Sequence, residues 1–285
     1  MWNRLPLIIR AVLSGLFVST VGVFTWGGMF AFFSSVWVIL PMIFALWVFW
    51  KFYSGVWGSN KLAKSRRIWF RSTTLQPSNW KWGIAAAILF VVIIQSSFVV
   101  TFRLIEFPAA KFTADYKAFD KFPLWATWAI LIMSSVVAGI CEEAGFRGYM
   151  QVPLEKKHGA SAAIIITSVF FTIVHLTHTW ALPILPHIFF ASVLLGVLAW
   201  KSGSLIPGNI GHSILDIFDY SVWWTDLTGG FTHQTIFKTG IDLHFIIWVL
   251  IFLLAVFGFF RVIGLLRKSD MEVQVLLQKN EMQMT

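Results

Sequence analysis

The chain has 285 residues, of which 58% are hydrophobic and only 12% are charged, and its mean hydropathy is +0.76. These values exclude a soluble globular protein, in which about a quarter of the residues are charged. The net charge of +9 fits the positive-inside bias and contact with membrane lipids, so we expect no nucleic-acid partner. The only cysteine, Cys141, excludes an intramolecular disulfide and is interpreted as a small buried residue. We therefore predict a multi-pass integral membrane protein, which in a prokaryote would lie in the plasma membrane.

Apolar runs of about 20 residues, long enough to cross a bilayer, predict an all-α polytopic bundle of about eight transmembrane helices. The runs lie near residues 6–26, 29–50, 83–102, 124–150, 161–181, 184–200, 204–224 and 243–265. With this arrangement most of the 22 Lys and Arg residues fall in the connections on one side of the membrane. The positive-inside rule then places both termini in the cytoplasm.

The chain divides into four segments. Residues 1–123 hold the first three spans and a basic cytoplasmic loop, 51–82, which we expect to contact lipid headgroups; an acidic partner protein is the alternative. Residues 124–224 carry most of the intramembrane ionisable groups and form the candidate functional core. Residues 225–267 contain the final span, and residues 268–285 form a polar cytoplasmic tail.

Three ionisable side chains follow the apolar run 124–140, at a depth where charge is costly. A charge near the bilayer centre costs about 2.5 to 3.5 kcal/mol on insertion scales, so intramembrane carboxylates are candidate functional groups. Glu143 and Arg147 are four residues apart and can pair on one helix face. Glu142 lies about 100° away around the helix, which leaves it free to act as a general base. The alternative is a charged patch at the end of a helix.

Later spans contain further ionisable side chains at a similar predicted depth. His212 and Asp216 are four residues apart on one helix face, and His175 follows Phe171 by the same spacing. At 1.5 Å per residue, Glu142, His175 and His212 each lie about 12 to 20 Å from the inner end of their spans. Because neighbouring spans run in opposite directions, this coincidence of depth groups the residues into one candidate site.

The remaining histidines and two later aspartates receive structural interpretations. A lone histidine in a membrane helix more often forms a hydrogen bond between helices than a catalytic contact. Such a role, or a position at the membrane interface, is expected for His158, His178, His187, His233 and His244. Asp219 and Asp226 lie near the outer end of their span, where we expect them to be solvated.

The series Glu142-Glu143-x-x-x-Arg147, Phe171-x-x-x-His175 and His212-x-x-x-Asp216 resembles the motifs of the CAAX protease and bacteriocin-processing family. These are intramembrane peptidases related to the type II CAAX prenyl endopeptidase. The resemblance implies a helical bundle around a polar cavity, in which Glu142 activates a water molecule. It further implies that His175 positions this water or binds a metal, and that His212 and the residue four positions later stabilise the oxyanion.

The chain departs from the family pattern at Asp216, where the family usually has Asn. An ionised aspartate cannot donate a hydrogen bond to an oxyanion. Asp216 would therefore have to be protonated, orient its neighbour, or bind a metal.

Two versions of the chemistry are compatible with these residues. In the first, Glu142, His175 and His212, with or without Asp216, bind Zn²⁺ and a water molecule. In the second, Glu142 acts as the base without a metal and His212 stabilises the developing charge.

In either version the Glu143–Arg147 pair supports the site. The predicted function is an intramembrane endopeptidase that cleaves a membrane-associated or lipid-anchored protein or peptide. An ion-coupled transporter is one alternative, although the absence of a recognisable internal repeat disfavours it. A catalytically silent membrane scaffold or immunity protein is the other.

Overall fold

The computed structural model describes residues 4–32, 35–69, 71–114, 119, 121–225 and 227–266. Within these ranges the chain forms helices α1 (Leu7–Phe32), α2 (Ile39–Tyr53), α3 (Asn60–Trp69), α4 (Trp80–Leu104), α5 (Ala109–Thr113), α6 (Leu124–Glu142), α7 (Gln151–His158), α8 (Ala160–His175), α9 (Ala181–Ser202), α10 (Ile206–Phe218), α11 (Ile236–Thr239) and α12 (Leu243–Ile263). Two π-helical segments, Glu143–Met150 and Asp219–Trp224, continue α6 and α10. The described part of the chain is all helical, which confirms the predicted fold class.

The apolar helices confirm a multi-pass integral membrane protein. Six segments of the described chain are long and apolar enough to cross a bilayer: Leu7–Phe32, Val36–Tyr53, Pro77–Leu104, Leu124–His158, Ala181–Ser202 and Leu243–Ile263. The predicted count of eight is not confirmed, because α8 has only 16 residues and the segment from Ile206 to Trp224 is not among the described helices apolar enough to cross a bilayer. The cytoplasmic location of both termini stays a prediction, and the predicted tail, 268–285, lies outside the described residues.

The bundle has a buried centre and a lipid-facing periphery. More than half of the most apolar stretch of the spans that contain α4 and α6 is buried, whereas only 17% of that of α12 is buried. Large apolar side chains point outward from the peripheral helices; Phe24 on α1 is 73% exposed and Leu254 on α12 is 68% exposed. Such exposure suits contact with lipid tails.

Helix α1 packs against the π-helical segment Glu143–Met150 through small residues. A Cβ atom added to Gly15 would lie 2.7 Å from the carbonyl oxygen of Gly145, and one added to Gly145 would lie 2.6 Å from that of Gly15. A Cβ atom on Gly22 would lie 2.5 Å from Sγ of Cys141, which is buried as predicted. Small residues allow this close backbone approach between membrane helices, so α1 forms a close wall beside the segment that follows Glu142.

A polar cluster connects α4 with the start of α12. Arg103 is buried and donates hydrogen bonds to both carboxylate oxygens of Asp242, at 3.0 and 2.7 Å. Asp242 also accepts a 2.9 Å hydrogen bond from the backbone N–H of Phe245, as an N-cap residue does. The hydrogen bonds from Arg103 lower the pKa of Asp242 to about 2. His244 lies 2.9 Å from Arg103, which agrees with its predicted role in a contact between helices.

Candidate active site

The segment after Glu142 leaves the regular α-helical geometry. Residues Glu143–Met150 form a π-helix, a rare conformation that occurs frequently at functional sites. Glu143 and Arg147 are completely buried, and their Oε1 and Nη1 atoms are 3.2 Å apart, which confirms the predicted ion pair. Arg147 also donates through Nη2 to the hydroxyl of Ser192 at 3.1 Å and stacks on the ring of Phe171 at 4.5 Å. The pair therefore forms a buried polar support inside the bundle.

His212 on α10 is fixed by the same buried carboxylate. Its Nδ1 lies 3.0 Å from Oε1 of Glu143, and because a carboxylate accepts, Nδ1–H is the donor. The other ring nitrogen, Nε2, then faces Oε2 of Glu142 at 3.8 Å and Oδ1 of Asp216 at 3.7 Å. The structure thus brings Glu142, His212 and Asp216 together, and the hydrogen bond from Nδ1–H to Glu143 orients the imidazole ring of His212.

Glycines permit this close approach of α6 and α10. A Cβ atom on Gly208 would lie 2.9 Å from Oε2 of Glu143, and one on Gly139 would lie 2.3 Å from Oγ of Ser213. A side chain at either position would push the two helices apart or displace the carboxylate. These glycines carry no ionisable group, so a sequence motif built on ionisable residues does not include them.

Glu142 faces a cavity between α1 and the end of α8. The cavity measures about 480 Å³, and its wall is formed by Glu142, Phe146, seven residues of α1 from Ser19 to Ala31, and the turn around His175 and His178. Oε2 of Glu142 is buried and has no hydrogen-bond partner in the described chain. A buried carboxylate oxygen without a protein partner is available to bind water or substrate.

His175 lies between this cavity and a smaller one. It is the last residue of α8, where its Nδ1 donates a 2.7 Å hydrogen bond to the carbonyl oxygen of Phe171. The smaller cavity, of about 70 Å³, contains His175, His212 and Asp216 in its wall. The Phe171 ring centroid is 4.5 Å from that of His175 and 6.0 Å from that of His212. His175 is therefore near the other candidate residues, although a phenyl ring packs against both imidazoles.

Asp219 corrects an expectation from the sequence. We expected this residue to be solvated, but it is only 4% exposed and accepts a 2.6 Å hydrogen bond from Gln95. The oxygen of Gln95 in turn accepts from the indole N–H of Trp223 at 2.8 Å. Asp219 lines the smaller cavity together with Asp216. Its spacing of three residues from Asp216 was the available signal, because that spacing also places two residues on one helix face. Asp226 lies outside the described residues.

Of the other histidines, His187 and His244 make the predicted contacts between helices. His187 on α9 lies 2.9 Å from the hydroxyl of Thr101 on α4, a contact between helices. His178 stacks on Trp180 with ring centroids 4.8 Å apart, and His158 is exposed at the end of α7.

The donor set proposed for zinc does not assemble in this geometry. Among the described residues, no three His, Cys, Asp or Glu side chains are placed to hold one metal ion. His175 has no ion-pair or hydrogen-bond contact to Glu142 or His212 within the described chain; its Nδ1 is committed to Phe171. We therefore assign no catalytic step to zinc, and the zinc version of the chemistry stays a prediction.

Comparison with known families supports the motif assignment. Residues 123–218 match the family described as Type II CAAX prenyl endopeptidase Rce1-like. Comparison with curated proteins and with solved structures gives no match. The match begins just before α6 and ends with α10, so it includes every residue of the predicted site. The resemblance that the motifs predicted is confirmed: residues 123–218 are similar to the type II CAAX prenyl endopeptidase family.

Proposed function

We propose that the chain is an intramembrane endopeptidase that cleaves a membrane-associated or lipid-anchored protein or peptide. The similarity of residues 123–218 to a protease family supports this reaction class. The observation that carries the proposal is the position of Glu142. Glu142 lines the larger cavity, and its buried Oε2 has no hydrogen-bond partner in the described chain and lies 3.8 Å from Nε2 of His212.

In the proposed mechanism a water molecule binds beside Glu142 and His212. A separation of 3.8 Å between the two side chains is too long for a direct hydrogen bond, and polar groups at such distances are often joined through water. Glu142 takes a proton from this water as general base, and the resulting hydroxide attacks the carbonyl carbon of the scissile peptide bond. Glu142 then returns the proton to the leaving amine.

His212 stabilises the tetrahedral intermediate when its Nε2 is protonated. The Nε2–H then donates to the oxyanion, while Glu143 holds Nδ1–H and fixes the ring orientation, as the orienting acid does in a catalytic triad. Asp216, at 3.7 Å from Nε2, is a positioning residue for the charged imidazole. This role removes the difficulty that an ionised aspartate cannot donate to an oxyanion.

The larger cavity supports a substrate that approaches from the membrane. One wall consists of residues from α1, including the 73% exposed Phe24, and His178 is exposed at the opposite wall. A volume of about 480 Å³ is in the range of small-molecule and peptide side-chain sites. A peptide held at the membrane surface or by a lipid anchor would enter between α1 and α8.

Glu142→Gln tests this proposal even while the substrate is unidentified. Membranes from cells that express the wild-type chain or Glu142→Gln are compared by mass spectrometry of newly formed protein termini. We expect a set of cleavage sites that disappears in Glu142→Gln, because loss of a general base costs about 10² to 10⁴ in rate. Glu106→Gln, which changes an exposed carboxylate outside the site, should leave the cleavages intact.

Two results would contradict the proposal. If the cleavages persist in a folded Glu142→Gln variant, the residue is not the base. If no cleavage depends on the chain but its cellular phenotype survives the substitution, the scaffold alternative gains support instead.

Metal content tests the zinc version directly. The chain is purified without chelators and its zinc is measured beside His175→Ala and His212→Ala. Near-stoichiometric zinc that is lost in both variants would show that the ligands assemble in a conformation other than the present one. The present geometry predicts substoichiometric zinc that does not depend on either histidine.

A further inference from the structure

A third cavity lies on the other side of α6 from the catalytic base. It measures about 100 Å³, and its wall includes Arg71 and the three residues after it, together with Ile140, Ala144 and Asn209. Ile140 lies on α6 two residues before Glu142, so it is about 200° away around the helix. None of the residues lining this cavity lines either of the two cavities of the candidate active site.

Arg71 lines this cavity and carries hydrogen-bond donors without a partner in the described chain. Its side chain is only 6% exposed, and one terminal nitrogen, Nη2, pairs with Oε2 of Glu155 on α7. Its Nε and Nη1 are buried and have no hydrogen-bond partner among the described residues. Buried donors without a partner are uncommon in native proteins and often mark a bound group. The hydroxyl residues Ser72 and Thr74 belong to the same wall.

The backbone around Arg71 is held in an unusual conformation. With a φ of 55°, Arg71 is the only described residue other than glycine with a positive φ. Its carbonyl oxygen accepts from the N–H of Leu205 at 3.0 Å, and the next-but-one residue, Thr73, donates to the carbonyl oxygen of Gly203 at 3.2 Å. Non-glycine residues keep such backbone angles only where the surroundings impose them, which happens most often at ligand sites.

The residues around this cavity are of the types that occur at the level of lipid headgroups. Trp50 at its rim is 48% exposed, and Trp57, seven residues further along the chain, is 39% exposed. Tryptophan is enriched at the membrane–water interface. Helix α3, which ends two residues before Arg71, exposes Lys61 and Lys64. Lysines near a membrane surface attract anionic lipids.

We propose that the cavity beside Arg71 binds a phosphate oxyanion, supplied by the headgroup of an anionic phospholipid. The free Nε–H and Nη1–H of Arg71 would donate to phosphate oxygens, which arginine recognises through paired donors. Ser72 and Thr74 would complete the site with hydroxyl donors. This binding site is separate from the proposed peptidase site, so neither proposal depends on the other.

The test measures ligand binding to the full chain in detergent after lipid removal. Phosphatidylglycerol and inorganic phosphate are titrated separately, and binding is followed by native mass spectrometry and by thermal unfolding. We expect saturable binding of phosphatidylglycerol to the wild type and at least tenfold weaker binding to Arg71→Gln. Lys238→Gln is the matched control, because it removes the same charge from an exposed position of α11 outside the cavity. It should keep the wild-type affinity to within about twofold.

Glu155→Gln distinguishes an anion-binding role of Arg71 from a purely structural ion pair with Glu155. This variant also tests the proposal if Arg71→Gln does not fold. Removal of the competing carboxylate should leave Arg71 free to bind the ligand, so affinity should stay equal or increase. Saturation by inorganic phosphate alone would retain the site but assign it to the free anion. The proposal is overturned if the wild type binds neither ligand, if Lys238→Gln weakens binding as much as Arg71→Gln does, or if Glu155→Gln abolishes binding.

Discussion

Glu143→Gln should reduce both stability and turnover, because this carboxylate has two partners. Its Oε1 lies 3.2 Å from Nη1 of Arg147 and 3.0 Å from Nδ1 of His212, and both acidic and basic members of the ion pair are fully buried. Removing one member of a buried ion pair costs about 3 to 5 kcal/mol. Arg147 keeps its contacts with Ser192 and Phe171, so we expect the lower end of this range.

The expected loss of turnover follows from the hydrogen bond to His212. A hydrogen bond to a charged group contributes about 1.5 to 3 kcal/mol, which corresponds to a roughly 10- to 150-fold lower kcat if the whole bond acts in the transition state. Because Glu143 does not line the substrate cavity, KM should change little.

The assay uses proteoliposomes with a cleavable peptide taken from the cleavage sites that depend on Glu142. Reversible unfolding in mixed micelles measures stability in parallel. Glu142→Gln is the informative comparison: Oε2 of Glu142 has no hydrogen-bond partner in the described chain, so this variant should lose turnover at nearly unchanged stability. The role given to Glu143 is refuted if Glu143→Gln keeps kcat to within twofold, or if it raises KM instead.

Three further substitutions test other parts of the structure. Gly208→Ala should lower the free energy of unfolding by about 1 to 3 kcal/mol and reduce turnover, because the added Cβ atom would lie 2.9 Å from Oε2 of Glu143. Gly258→Ala is the control. Its added Cβ atom would have its nearest contact at 3.5 Å, so this variant should be neutral or stabilising in the same unfolding assay. Asp216→Asn should lower turnover by about two- to fivefold, because it removes the charge that lies 3.7 Å from Nε2 of His212 but breaks no direct hydrogen bond; unchanged turnover would contradict its positioning role. The pKa of Asp242 lies below its ordinary value, so its contact with Arg103 stabilises the fold above about pH 4 and weakens as pH falls towards 2. Asp242→Asn should slightly lower the melting temperature at pH 7 and remove this acid dependence; an unchanged acid dependence would count against the contact.

Local spacing predicted the contacts that lie within one helix. The ion pair between Glu143 and Arg147 and the approach of His212 to Asp216 both follow from a separation of four residues, which brings side chains together on any helix. The shared depth of Glu142 and His212 also predicted correctly that they meet.

Contacts between helices could not be obtained in this way. The bond between Glu143 and His212 joins residues 69 positions apart, and it depends on Gly208, whose missing side chain leaves room for the carboxylate. Sequence spacing carries no information about how two helices rotate against each other. The burial of Asp219 has the same origin, since its partner Gln95 belongs to α4. Helix ends were also uncertain: hydropathy continues through residue 181, whereas α8 stops at His175.

Helix α1 forms part of the wall of the cavity at Glu142 but contributes none of the candidate reacting residues. Every candidate ionisable residue lies within residues 123–218, the part that matches the protease family, but one wall of the cavity at Glu142 comes from α1, outside that part. The close packing of α1 against the segment around Glu142 depends on Gly15 and Gly22, while Phe24 and other residues of α1 line the cavity. Changes along that face of α1 can therefore alter which peptides fit without moving any reacting group. If the proposed function holds, substrate preference would be determined by a different stretch of sequence from the one that carries the reaction.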